Sequence, residues 1–310
     1  MILKQLPEDF IVKEIYHLNL DPSGEYSYYL LEKRELNTIE ACRMIAEKMR
    51  INPKFINFAG TKDRRAITYQ HISIRRGHKT GLSLPGLKLM YLGKGKDRIN
   101  LGTHDGNEFR ITVRDIDTAP NHIERFLNLF DEQRFGMRGN NHIIGKYIIK
   151  GDFRRAAESI QEPEITEWLS AHPNDFVGAL KKLPKKVLQI YVHSYQSHLW
   201  DMAAIRYNEK YPKKHYAELK VPGFGEVHGT AGDDIVENIL ASESIDPRDF
   251  IIRQMPELSM EAGKRKLFAE IKNLTIGPLL PDELGQKRKV MISFCLDKGS
   301  YATLAVKSMF

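Results

Sequence analysis

The sequence predicts an α+β fold in which a discontinuous domain of strands and helices is interrupted by a helix-rich insertion. Three observations lead there. A length of 310 residues suggests two domains at about 150 residues each. Short runs rich in β-branched and aromatic residues crowd roughly the first 115 residues and return near the other end, whereas the middle is mostly of helical period. No unit of about 20–50 residues repeats, which sets aside solenoids and propellers.

Phe10-Ile11-Val12 and Tyr26 to Leu31 read as strands, with Asp21-Pro22-Ser23-Gly24 a turn between them. Asn37 has the character of a helix N-cap, closed by Glu40 three residues on. Ile39, Cys42, Ile45, Ala46 and Met49 then give the helix one apolar face, and Pro53 follows it. Ile56 to Ala59 and Ala66 to Ile74 are strands, the second placing Thr68, Gln70, Ile72 and Ile74 on one face. Between them lies a tight charged loop, Gly60-Thr61-Lys62-Asp63-Arg64-Arg65. Leu89 to Leu92 and Phe109 to Val113 are further strands. Asn121 to Phe130, Trp168 to Leu180 and Leu188 to Tyr207 have helical character, and Val221 to Gly225 that of a loop or hairpin. Lys264 to Leu274 reads as a basic helix, and Val290 to Phe294 with Ala302 to Val306 as a final pair of strands.

Apolar residues make up 42% and charged residues 28%, the mix of a soluble globular chain. No apolar run approaches the ~18 residues of a membrane span. Met1 to Asp9 lacks the apolar core of a signal peptide. Cys42 and Cys295 stand far apart, so neither a disulfide framework nor a cysteine zinc site is expected. The expectation is a cytoplasmic protein with no membrane association. Lys and Arg exceed Asp and Glu by 47 to 40. The surplus is uneven: residues 233–261 hold eight acids against Arg248 and Arg253. Such a basic remainder favours a polyanionic partner, because lysine and arginine release counterions when they neutralise phosphates.

Several chemistries have no motif. Gly145-Lys146 is followed by Tyr147, and Gly93-Lys94-Gly95 by Lys96-Asp97-Arg98, so neither the P-loop nor the dinucleotide fingerprint is met. A Gly-x-Ser-x-Gly elbow is lacking, and His193 and His198 are five apart, off the spacing of a helical zinc pair. No cofactor and no metal are expected. Asp63 is the residue of most interest. Lys62, Arg64 and Arg65 flank it and favour its ionised form, which suits a nucleophile or general base on a rigid loop. The same pattern also suits a turn aspartate in surface ion pairs.

The stretch Asn57-Phe58-Ala59-Gly60-Thr61-Lys62-Asp63-Arg64-Arg65-Ala66-Ile67-Thr68-Tyr69-Gln70 resembles the signature of the TruD family of tRNA pseudouridine synthases. Further segments resemble family motifs in the same order: Lys4 to Glu14, Gly106-Asn107-Glu108-Phe109, Asp131 to Gly136, Ser194-Tyr195-Gln196-Ser197 and Gly299-Ser300-Tyr301-Ala302-Thr303. They span nearly the whole chain. Two departures stand near the insertion: Trp200-Asp201 where Phe-Asn is usual, and Asp131-Glu132 before Gln133 where glycine is common.

The resemblance implies a pseudouridine synthase that isomerises uridine in tRNA, at position 13, with the target base flipped out. Some relatives modify other RNAs as well. It implies Asp63 as the essential carboxylate at C1′ and Lys4 as its basic partner. Phe109 would stack on the uracil, Asn107 would orient the loop or the base, Phe10 would be a second apolar wall, and Lys62 would contribute to substrate binding. The implied catalytic domain takes residues 1–134 and 258–310 around a mixed, mainly antiparallel sheet, with 135–257 as the inserted TRUD domain. Extruding a base costs a few kcal/mol, which gives clusters such as Arg75-Arg76, Lys94/Lys96/Arg98, Lys181-Lys182/Lys185-Lys186, Lys264-Arg265-Lys266 and Lys287-Arg288-Lys289 a task on the phosphate backbone. The sequence points to no obligatory protein partner. Two other readings are a non-catalytic RNA-binding or RNA-folding module, and a metal-dependent RNA nuclease drawing its ligands from the acids of 233–261.

Overall fold

Period-two alternation builds β1 (Phe10–Ile15), β2 (Tyr26–Arg34), β3 (Ile56–Phe58), β4 (Ile67–Arg75), β5 (Leu82–Leu84), β6 (Leu87–Gly95) and β7 (Gly106–Ile116). A computed structural model, which describes residues 1–310, divides the chain into two units, 1–126 with 269–310 and 127–268. Between β2 and β3 runs α1 (Thr38–Met49). Asn37 caps it as expected: its side chain accepts from the Glu40 N–H at 2.8 Å, and the Glu40 carboxylate returns to the Asn37 N–H at 3.3 Å. Such a cap is worth ~1 kcal/mol. Ala41, Cys42, Ile45 and Ala46 face the core, whereas Ile39 is exposed.

The chain leaves this unit through β8 (Arg125–Leu127), where the sequence suggested a helix over 121–130. Main-chain bonds draw the segment out: the Asn121 N–H reaches the Met309 carbonyl, and the Glu124 carbonyl accepts from Ile271. The second unit then holds α2 (Glu132–Phe135), α3 (Asn141–Ile149), α4 (Phe153–Glu158), α5 (Pro163–Ala171), α6 (Phe176–Leu180), α7 (Lys185–Lys210), β9 (Glu218–Val221), α8 (Asp233–Ser242) and β10 (Gly263–Lys266). Pro173 falls between α5 and α6 and divides the helix expected over 168–180. Leu188, Val192, Tyr195, Leu199, Trp200, Ala203 and Ala204 of α7 are buried in one cluster with residues of α3 and α8. Ser194 and Gln196 fasten this core, Ser194 donating to the Arg134 carbonyl at 2.5 Å and Gln196 to those of Pro222 and Glu261.

The chain returns through β11 (Phe268–Glu270), then β12 (Lys272–Ile276), β13 (Leu280–Pro281), β14 (Arg288–Asp297) and α9 (Ala302–Lys307). Two expectations are corrected here. The basic helix expected over 264–274 is three short strands: β10 pairs with β9, and β12 with β14. Ala302 to Val306 is helix rather than strand, because Ala302, Ala305, Val306 and Met309 recur at helical spacing and all are buried. The first unit's sheet runs β12-β14-β7-β1-β4-β2-β6-β5, with β13 beside β14 and β3 beside β4. Only the β1–β4 pair is parallel, so the mixed, mainly antiparallel sheet is as expected. One face carries the apolar clusters, with α1 packed over β2 and β4 and α9 over β7 and β14. No helix is long and apolar enough to cross a membrane.

The units meet the chain at 126/127 and 268/269 rather than at the 134/135 and 257/258 boundaries suggested by the motifs. Residues 127–134 lie with the helical unit because Leu127, Leu129 and Phe130 pack on its core. Residues 258–268 join it because β10 pairs with β9 and Arg265 donates twice to the Asn128 carbonyl.

Asp201, one of the two departures, accepts a 3.0 Å bond from the Phe130 N–H. Burial pushes its carboxyl up to about 7, against the nearby Arg265 and Arg134. Its folded value exceeds its unfolded one, so the stabilising neutral form is fully present at low pH and lost as pH rises through about 7. Asparagine keeps the acceptor without the charge. Asp201→Asn should therefore raise the melting temperature at pH 8, with a ceiling of about 4 kcal/mol, and leave it little changed near pH 4. Thermal unfolding at the two pH values checks this.

Candidate active site

The Gly60–Arg65 loop carries Asp63 and is fastened from below at successive residues. The Gly60 carbonyl accepts from the Gln70 amide at 3.1 Å, and the Lys62 N–H donates to the Thr38 hydroxyl oxygen at 2.9 Å. That hydroxyl in turn donates to Gln70 at 2.9 Å. The Lys62 and Asp63 carbonyls both accept from the Lys33 ammonium, at 3.3 and 2.8 Å. Arg64 donates through Nε to the Glu35 carbonyl at 3.1 Å. A loop with its main-chain polar groups paired in this way is held as firmly as a strand. The side chains of Asp63, Arg64 and Arg65 face outward, whereas that of Lys62 turns inward.

The six residues singled out from the sequence are brought together, and their contacts close a circuit. Lys4 Nζ donates to Asp63 Oδ2 at 2.6 Å and sits 4.2 Å from the centroid of the Phe10 ring. Phe10 meets Phe109 edge-on at 6.1 Å, and Phe109 lies 5.5 Å from Phe294 on the other side. Asn107, two residues before Phe109 and on the same face of β7, accepts from Lys62 Nζ at 2.8 Å. Lys62 adjoins Asp63 in the chain. Asp63 is 45% exposed at its side chain and its Oδ1 accepts no bond from the protein, whereas Lys4 is only 14% exposed. The rings are core residues, Phe10 at 4% and Phe109 at 7% exposure.

Sequence reasoning missed the residue that organises this face. β2 pairs with β4 along its whole length on one side; on the other, β1 takes residues 67–69 and β3 takes 72–74, so Gln70 and His71 have no strand beside them there. Glu14 enters that gap: its Oε1 accepts the His71 N–H at 3.0 Å, and its Oε2 lies 3.1 Å from Lys62 Nζ. The carboxylate is wholly buried and Lys62 is 8% exposed. Burial alone would push the Glu14 carboxyl up; the His71 ring and N–H and the Lys62 charge outweigh it, leaving it below the ordinary range. The sequence signal was there. Glu14 follows Phe10 and Val12 at period two, on the face that the apolar residues bury.

The arm that carries Lys4 is held by Arg114 of β7. Ile2 and Arg114 exchange main-chain bonds at 2.8 and 3.0 Å, and the buried guanidinium grips the Asp9 carboxylate at 2.9–3.0 Å. Asp282 takes a further bond from it at 2.6 Å. Between these ties Lys4 adopts φ 59°, a left-handed conformation disfavoured for a side chain of its size.

The basic clusters differ in what they leave free. Arg75 pairs with Glu25, Lys96 with Asp21, Lys287 with Asp117 and Lys289 with Glu283. Arg265 is spent internally, its guanidinium 4.1 Å from the Phe130 ring centroid and 5.2 Å from that of Trp200. The acids of 233–261 do not gather, and no three His, Cys, Asp or Glu side chains anywhere could hold a metal ion.

The profile of the tRNA pseudouridine synthase D (TruD) family matches residues 1–163, 159–218 and 208–309. The chain belongs to that family. A Nanoarchaeum equitans protein named "Probable tRNA pseudouridine synthase D" is 29% identical over 383 aligned positions, covering 100% of this chain and 98% of its own. The tRNA pseudouridine synthase D of Aquifex aeolicus is 26% identical, over 99% and 97% of the two chains. A crystal structure of a TruD protein from Methanosarcina mazei superposes with a TM-score of 0.77 at 26% identity, over 99% of this chain and 92% of that one.

Glu14→Gln would put an amide N–H or a weaker acceptor against the buried Lys62 ammonium. The expected loss is about 3 kcal/mol at pH 7, since removing one partner strands the other charge. The Glu14 value is lowered in the fold, so its contribution is present above the ordinary carboxylate range and lost as pH falls below it. Urea unfolding at pH 7 and at pH 3.5 should therefore show the variant's deficit shrinking in acid.

Proposed function

We propose that this TruD-family tRNA pseudouridine synthase acts on uridine 13 of tRNA, with the Asp63 carboxylate at C1′ of the target ribose. The observation that carries the reading is the state of Asp63 itself. It is an exposed carboxylate with one oxygen on Lys4 and the other uncommitted, on a loop whose main chain cannot easily yield.

The reaction breaks the C1′–N1 bond, turns the uracil and joins C5 to C1′; the C5 proton is lost and N1 gains one. No electrons leave the substrate. An ionised carboxylate suits the electron-poor C1′ that forms as N1 departs. Lys4 holds that carboxylate in place by a charge-assisted bond. Phe109, braced between Phe10 and Phe294, offers its remaining exposed surface to the extruded uracil, and Phe10 fixes both the ring and the Lys4 ammonium above it. Asn107 and Lys62 form one polar unit at the end of that aromatic row, suited to the carbonyl and imide edge of uracil. Residues 127–268 act as the family's inserted TRUD domain on the RNA, and the protein works in the cytoplasm with its substrate.

The test incubates an unmodified tRNA transcript carrying uridine 13 with wild type and with Asp63→Asn, chelator present. Carbodiimide treatment and primer extension then map modified positions. A stop at uridine 13 with wild type, reduced on the order of 10³-fold or more in Asp63→Asn, is the expected result. Activity surviving in Asp63→Asn would overturn the assignment of Asp63, and a stop elsewhere would overturn position 13. RNA binding without any pseudouridine would favour the binding-module reading.

A further inference from the structure

We propose that Lys33 is a positioning residue for the isomerisation: its buried ammonium fixes the main chain of Lys62 and Asp63 and so sets where the Asp63 carboxylate points. The proposal rests on the reading of Asp63 as the reacting carboxylate.

Lys33 lies on β2 with its side chain wholly buried, on the face it shares with Tyr29 and Leu31. A leucine would fill such a position at no electrostatic cost. Fully buried lysines are rare and normally have a counter-ion. None lies within ion-pair distance of this one; its Nζ donates instead to three main-chain carbonyls, Leu36 at 2.6 Å, Asp63 at 2.8 Å and Lys62 at 3.3 Å. Each of its three N–H bonds has one acceptor. Two of the three belong to the residues on which the candidate chemistry depends, and the third precedes the α1 cap.

The arrangement is asymmetric in what it supports. Thr38 and Gln70 hold the front of the loop at Lys62 N–H and Gly60. Only Lys33 reaches the Asp63 carbonyl, so it alone fixes the peptide plane from which the Asp63 side chain departs. A displacement of about 1 Å at a reacting group can cost on the order of 10²-fold in rate. A main-chain carbonyl released from Lys33 would be a natural source of one.

The charge also gives the device a pH range. Burial lowers the Lys33 pKa to about 8, with the Asp63 charge opposing and the Lys62 charge adding to the effect. The neighbouring strands present no titratable group at its register positions, which are Thr68 on β4 and Leu87 on β6. A neutral amine has two N–H bonds for three carbonyls, so the loop loses a tie as pH rises through about 8.

Single-turnover rates on the uridine 13 transcript, tRNA affinity and thermal unfolding are to be measured for wild type, Lys33→Met and Asp63→Asn between pH 6.5 and 9. The expected Lys33→Met protein binds tRNA within about threefold of wild type but reacts on the order of 10²-fold more slowly at pH 7. Its rate should lack the fall that wild type shows above about pH 8. A folded Lys33→Met that reacts within threefold of wild type, or that keeps the same alkaline fall, overturns the proposal. Should Lys33→Met fail to fold, Lys33→Gln is read in the same way, and a wild-type rate flat from pH 7 to 9 also overturns it. Activity in Asp63→Asn would instead sink the reading of Asp63. An inactive Asp63→Asn beside an active Lys33→Met would sink the Lys33 proposal alone.

Discussion

The candidate active-site face depends on one buried carboxylate doing the work of a main-chain carbonyl. On the side it shares with β1 and β3, β4 lacks a neighbour at Gln70 and His71, and Glu14 accepts there the His71 N–H that a strand would have taken. A glutamine could accept that bond too. What glutamate adds is charge, and the charge allows Lys62 to be buried beside it while its ammonium also donates to Asn107. Desolvating two ions costs several kcal/mol each, and their attraction repays this only when the geometry is good and the other polar atoms are satisfied. The ion pair is therefore weak support for stability as such. Its effect is on place: β1, β4, β7 and the Asp63 loop are referred to one point.

Two other buried cations repeat the pattern. Arg114 draws Asp9, Asp282 and the main chain of Ile2 together and so delivers Lys4 from one side. Lys33 holds the Asp63 main chain from the other. An exposed carboxylate is thus set among charged groups that are themselves buried. Rigidity is concentrated where an ordinary surface loop would have least of it.

What was legible in the sequence was what local chemistry decides. Asn37 and Glu40 cap α1 because a cap is set by residues three apart. Thr68, Gln70, Ile72 and Ile74 share a face because pleating decides it. The ordered motifs named all six residues of the candidate site without any geometry, and the structure brings those six together. What was not legible depended on distant partners. Lys264 to Leu274 holds a run of bases that suits a helix, and only pairing with Glu218–Val221 and Arg288–Asp297 makes it extended. Ala302 to Val306 is too short for its composition to decide, and packing of Ala302, Ala305, Val306 and Met309 in the core selects the helix. Glu14 and Lys33 were visible only as charges in apolar alternation, a sign easily taken for a solvated edge.

The division of the first unit has a consequence in time. β7, which bears Asn107 and Phe109, has β1 on one side and β14 on the other, and β14 begins about 170 residues after β7 ends. A ribosome adds on the order of 5–20 residues per second. For roughly 9 to 34 seconds, by that rate, the nascent β7 has an open edge while all of residues 127–268 emerge and can fold. An unpaired edge is an invitation to any other strand in reach. Glu108 and Arg110 put exposed charges of opposite sign along that strand, of the kind that discourages such pairing.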